Sequence, residues 1–246
     1  MNARIQAHCA EIERCNQRGG RMLSVVDLIE AGTLTRELAA YALAAIGNGA
    51  SFMVGARPGA AGKTTVMGAL LNFVPADVPL LPADGVAAIE RGLRDSQPRT
   101  CYICHEIGAG PYYAYLWGDT LRRYFELPTV GHMLATNLHA DTYEEARDQV
   151  CGDNPVSEAA FRRMNLLFFL AVDGRGPAAS RRIVSAWESD GEEDHRQVAG
   201  EGAAESWADV SRVVSAGDCK TARERIDGMM AQGARTIEDV RRSVLQ

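Results

Sequence analysis

The chain has 246 residues, 46% of them hydrophobic and 24% charged, with 26 Lys and Arg against 32 Asp and Glu. A chain of this length and apolar content buries a core without staples, which excludes disorder throughout and a small disulfide scaffold. The net charge of −6 weighs against non-specific binding to nucleic acid or an anionic membrane, and no apolar run approaches the roughly 18 residues of a membrane span.

Residues 2–17 read as a polar helix ended by Gly19-Gly20, and Met22–Ile29 as a short apolar helix stopped at Ala31-Gly32. The N-terminus has no apolar h-region, so no signal peptide is read and the chain is expected in the cytoplasm. Its six cysteines, Cys9, Cys15, Cys101, Cys104, Cys151 and Cys219, are then expected as free thiols. Thr35 is placed to cap a helix over Arg36–Ile46, because its hydroxyl can accept from a first-turn N–H. Ala50–Val54 reads as a buried strand, Lys63–Phe73 as an apolar helix, Val78–Leu81 as a strand and Val86–Arg94 as a helix. Thr100–His105 is a further strand, Tyr112–Phe125 an aromatic-rich helix and His132–Leu138 a strand. Thr142–Val150 follows as a helix with Asp141 as its expected cap. Leu166–Val172 is a strand, with Arg181–Glu188 as its hairpin partner. Strands alternating with helices predict an α/β fold with a mostly parallel central sheet flanked by helices. Residues 189–206 are acidic and poor in large apolar side chains and read as a linker, while 207–246 return to helical spacing.

The strongest motif is Met53–Thr65, MVGARPGAAGKTT, between a strand and a helix. Small residues let backbone N–H groups surround phosphates, and the helix N-terminus adds partial positive charge. Gly59, Ala60, Ala61, Gly62, Lys63, Thr64 and Thr65 are the candidate nucleotide-binding residues. In such a loop the lysine reaches the β and γ phosphates and the following hydroxyl ligates Mg²⁺, so ATP and Mg²⁺ are the expected ligands. The usual glycine six residues before the lysine is Arg57 here. Either the loop bends differently, or the Arg57 side chain points outward while its backbone still wraps the phosphate.

A phosphate loop of this kind needs an acidic residue at a neighbouring strand end to hold the Mg²⁺ shell or polarise the attacking water. Glu106, ending the TCYICHE strand, is the first candidate for both tasks, and Asp84 the second catalytic candidate. Cys101-x-x-Cys104-His105 matches a haem-attachment spacing, but haem attachment takes place outside the cytosol. A zinc site there is also disfavoured, because Cys101 and Cys104 face opposite ways in a strand.

Gly131–Ala146 reads GHMLATNLHADTYEEA. Phosphate loop, acidic strand end and this histidine box, in that order, resemble the secretion and pilus motor ATPases of type II and type IV secretion and type IV pili. The stretch Asp27–Thr35 is similar to the segment before the phosphate loop in the tight-adherence and type IV secretion branch. The resemblance covers roughly residues 22–188. It implies a P-loop NTPase with a RecA-like core, His139 near the γ-phosphate and His132 as the first histidine of the box. It also implies a ring-shaped homo-oligomer, in that family a hexamer, and a membrane-platform partner that would place the protein at the inner membrane. The chain departs from the family in its thin acidic region, where only Asp84 and Glu90 stand, and in Ile107–Trp117, where the family has Arg-Asp-x-Glu. Some 50 residues precede the loop, too few for the family's N-terminal domain, so an arginine is expected from a neighbouring subunit. Arg122, Arg123, Arg162 and Arg163 are the candidates.

The expected organisation is an N-terminal helical segment (1–49), an ATPase core (50–188), an acidic linker (189–206) and a helical C-terminal appendage (207–246). The expected activity is ATP hydrolysis. The alternative is a non-hydrolysing nucleotide-binding regulator or adaptor of such an assembly. A small-molecule kinase would need an arginine-rich lid, for which Arg122-Arg123 is the candidate.

Overall fold

The computed structural model describes residues 3–16, 19–94, 98–174, 179–201 and 211–244. Strands β1 (Phe52–Gly55), β2 (Leu80–Pro82), β3 (Cys101–Ile107), β4 (Tyr115–Leu116), β5 (Met133–Leu138), β6 (Leu166–Asp173), β7 (Ser180–Glu188) and β8 (Arg196–Gly200) form one sheet. Its order is β2-β3-β5-β1-β6-β7-β8, with β4 paired to β3. β1 to β6 run parallel, and β7 and β8 extend the edge antiparallel. β1 therefore sits where the strand order reverses, the place where open α/β sheets leave a crevice at the carboxyl ends of their strands.

Side-chain alternation along each strand divides the core between the two faces of the sheet. One face carries Phe52, Val54, Cys101, Ile103, Leu166 and Phe168, covered by α1 (Ala3–Arg14), α2 (Val25–Glu30), α3 (Arg36–Gly47) and α4 (Lys63–Leu71). The other carries Met53, Tyr102, Cys104, Leu134, Leu167 and Phe169. Its cover is α5 (Val86–Gly92), α6 (Gly118–Tyr124), α7 (Tyr143–Arg147) and α8 (Glu158–Arg162). Cys101 and Cys104 thus lie on opposite faces, and among the described residues no group of three or more His, Cys, Asp or Glu could hold a metal.

Thr35 caps α3 as expected, accepting from Leu38 N at 3.1 Å. The cap of α7 is Thr142, which accepts from Glu145 N at 3.2 Å, and Asp141 turns elsewhere. The aromatic helix expected over Tyr112–Phe125 begins only at Gly118. Tyr115–Leu116 instead adds to β3, with His105 N donating to Ala114 O at 2.8 Å and Gly108 N to Leu116 O at 3.1 Å. Backbone pairing to a sheet edge overrides the helical spacing there and leaves Tyr112, Tyr113 and Trp117 exposed.

The linker expected over 189–206 is also corrected in part. Residues 196–200 form β8, Val198 is buried, and His195 reaches Met164 O from Nε2 at 2.8 Å. Residues 202–210 lie outside the described residues. The C-terminal segment is no appendage. α9 (Ala216–Ala231) packs along α3, and α10 (Ile237–Val244) along α1. Ile226, Met229, Ile237 and Val240 belong to the same core as α1 to α4.

Two buried polar knots fix that packing. Glu188 accepts from Tyr41 Oη at 2.6 Å, Ser211 Oγ at 2.7 Å and Arg212 N at 2.7 Å, tying β7 to α3 and to the entry of α9. Arg241 of α10 is fully buried and donates to Asn72 O at 2.7 Å and also to Val74 O, beyond the end of α4. Arg241 also bonds His8 Nδ1 of α1, so the two chain ends converge on the exit of α4. No helix among the described residues is long and apolar enough to cross a membrane.

Candidate functional site

The Gly/Ala-rich segment after β1 leads into α4 through Gly62, whose φ of +96° a glycine adopts without strain. No side chain caps α4, so its first-turn N–H groups face the crevice without an intrahelical acceptor. Gly55, at the end of β1, is confined for another reason: a Cβ there would meet Ala140 O and the Phe169 ring at 2.7 Å. Gly59 through Thr65 line a pocket of about 230 Å³ together with Asn16, Met22, Glu106, Tyr115 and His139.

Three strand ends deliver the charged groups in order. β1 leads to Lys63, the adjacent β5 to His139, and β3 beyond it to Glu106. Lys63 is buried, with Nζ 3.1 Å from Ala56 O, 3.4 Å from His139 Nδ1 and 3.6 Å from Glu106 Oε1. His139 Nε2 lies 3.7 Å from the same Glu106 oxygen. His139 Nδ1 also lies 3.0 Å from Arg57 O, to which it donates when it carries the proton. Burial raises the Glu106 pKa above the ordinary carboxylate value, and the attraction of Lys63 and His139 offsets this only in part.

A β-bulge turns Glu106 into the pocket. Cys104 pairs with Thr136, but Ile107 pairs with Leu138, so three steps along β3 match two along β5. The extra residue flips the alternation. Ile107 joins the face of Tyr102 and Cys104, and Glu106 turns with its partner Tyr115 toward the α4 side.

Arg57 takes the outward course. Its guanidinium pairs with Glu145 at 2.6 Å and its backbone N donates to Asp141 Oδ1 at 2.7 Å. Asp84 does not join the pocket. It is exposed after the edge strand β2, three strands from β1 or about 14 Å. Glu90 is engaged with Arg123 at 2.8 Å. His132 is structural: it lies before β5, where Nδ1 accepts from Thr100 N at 3.1 Å and Nε2 donates to Gly92 O at 2.9 Å. Of the four arginines considered for a neighbouring site, Arg122 pairs with Asp119, Arg123 with Glu90 and Glu126, and Arg162 with Asp194 within their own chain.

Arg181, at the start of β7, is the residue that sequence reasoning missed. Its Nε and Nη2 both lie 3.4 Å from Ala60 O in the segment between β1 and α4. In the sequence it is one arginine of a hairpin strand, and only the sheet order puts that strand beside the loop.

Thr64 and Glu106 offer a hydroxyl and a carboxylate to one pocket, hard oxygen donors of the kind Mg²⁺ takes alongside substrate phosphates. Glu106 Oε1 is buried and its contacts to Lys63 and His139 are long ion-pair contacts rather than short hydrogen bonds. In comparisons with known proteins, no family model and no curated protein matches the chain.

Proposed function

We propose that this protein binds ATP with Mg²⁺ at the loop Gly59–Thr65 and hydrolyses it, as a P-loop NTPase with a RecA-like core related to the secretion and pilus motor ATPases. The observation that carries the reading is the convergence of Lys63, His139 and Glu106 over an uncapped helix start, at the strand ends where the sheet order reverses. Lys63 exchanges its contacts with Ala56 O and Glu106 for phosphate oxygens. Glu106 is then released to accept a proton from an attacking water, and its raised pKa makes it a better base than an ordinary carboxylate. His139 stands between them and donates toward the terminal phosphate. Thr64 would hold Mg²⁺, which supplies charge neutralisation on the phosphates, and Glu106 would face the water shell of the ion and so remain free to act as the base. Self-assembly into a ring belongs to the same proposal, with Arg163 as the remaining candidate of the four arginines.

The non-hydrolysing reading rests on Arg57. Its N–H is already committed to Asp141, so the loop offers one donor fewer to a phosphate. Phosphate release from Mg·ATP by the purified protein separates the two. Turnover that disappears in Glu106→Gln supports hydrolysis, and ATP binding without turnover supports the regulator.

A further inference from the structure

A second pocket of about 310 Å³ shares Ala60, Gly62 and Thr65 with the first. It opens on the β6–β7 side of β1, away from Glu106 and His139. One part of its wall is apolar, with Leu23 and Leu28 from the α2 region, Val66 from α4 and Leu170 from β6, and Thr33, Thr65, Ser180 and Arg181 bring polar groups to the rest. Its volume lies at the lower end of the roughly 300–1,000 Å³ typical of ligand pockets.

Arg181 spans the seam between the two pockets. Nη1 donates to Ala179 O at 2.9 Å, and the side-chain stem passes close enough to Gly62 that a Cβ there would meet it at 3.2 Å. The two 3.4 Å contacts to Ala60 O are long for N–H···O bonds, so replacing that carbonyl by a phosphate oxygen costs little and gains charge-assisted bonds. The neighbouring Arg182 is paired with Asp173 at 3.3 Å, whereas Arg181 has no carboxylate partner among the described residues.

The direction of a bound nucleotide follows from these placements. The terminal phosphates belong with Lys63, Glu106 and His139. The rest of the molecule must then leave the loop past Thr65 toward β6 and β7, where the second pocket begins. We infer that this pocket takes the base and sugar of a nucleoside triphosphate, and that Arg181 clamps the phosphate nearest the sugar. The inference rests on the phosphate-loop reading above. A flat base buries its faces among Leu28, Val66 and Leu170, and the guanidinium holds the charged end at the threshold.

The test is calorimetry with two probes, Mg·ATP and Mg·inorganic triphosphate, on the full chain. Wild type should bind ATP at least about tenfold more tightly than triphosphate. Ser180→Phe, an exposed position on the pocket's edge, should fill the pocket, weaken ATP by about tenfold and leave triphosphate nearly unchanged. Arg181→Ala should weaken both probes, and Arg181→Lys should recover part of the loss. Equal affinity of wild type for the two probes would overturn the inference, as would an unchanged ATP-to-triphosphate ratio in Ser180→Phe. The phosphate-loop reading survives that failure if triphosphate binding is still lost in Lys63→Ala. No binding of either probe to wild type would overturn both.

Discussion

The Lys63 ammonium lies 3.6 Å from the Glu106 carboxylate, with both side chains buried. Two opposite charges at that distance in a poorly solvated crevice hold each other until a stronger partner arrives. A polyphosphate is such a partner for the lysine. Under the proposed function, the pair would couple ligand entry to release of the carboxylate that hydrolysis needs.

The Glu106→Gln variant should keep ATP affinity within a few-fold, because the amide preserves shape and Lys63 still meets the phosphates. Turnover should fall by roughly 10²–10⁴, the usual contribution of a positioned general base. A coupled phosphate-release assay reads this directly. Undiminished turnover would remove Glu106 from the chemistry.

Gly55→Ala tests the packing behind the loop. The added methyl would sit 2.7 Å from Ala140 O and from the Phe169 ring, and neither the backbone of the β5–α7 connection nor a buried ring yields cheaply. Overpacking of this kind costs about 1–3 kcal/mol. The denaturant midpoint should fall with an unchanged slope, and ATP binding should weaken because Ala140 follows His139 directly.

Much of the fold was legible in the sequence, because β1, β3, β5 and β6 are short apolar runs between Gly, Pro and polar breaks, and because Thr35 sits before a helical pattern. The Gly59–Thr65 segment and His139 stood out as motifs, and the structure brings them to one pocket. What escaped had non-local causes. β8 has a single large buried apolar residue, Val198, and exists because β7 offers it an edge. β4 forms because β3 has a free edge beyond β2. The bulge that aims Glu106 depends on how β3 registers against β5, and Arg181 reaches the loop only through the order of strands 100 and more residues apart.

The chain ends carry a pH dependence. Burial, with the nearby Arg241 charge, lowers the His8 pKa from 6.5 to about 4. The unfolded chain therefore binds a proton that the folded chain refuses between those values. The stability from neutral His8 is fully present above about pH 6.5 and is lost as pH falls toward 4, by at most about 3 kcal/mol. His8→Gln keeps an acceptor for Arg241 and cannot titrate. Between pH 7 and pH 4 the melting temperature of wild type should fall more steeply than that of the variant, so the two curves separate toward the acidic end. Parallel curves would remove His8 from the acid response.

The central claim is that Lys63 meets phosphate. Titration calorimetry of wild type and Lys63→Ala with Mg·ATP tests it most directly. The account predicts one site per chain in wild type and a loss of at least about tenfold, or 1.4 kcal/mol, in the variant. Equal affinity in the two proteins would contradict it.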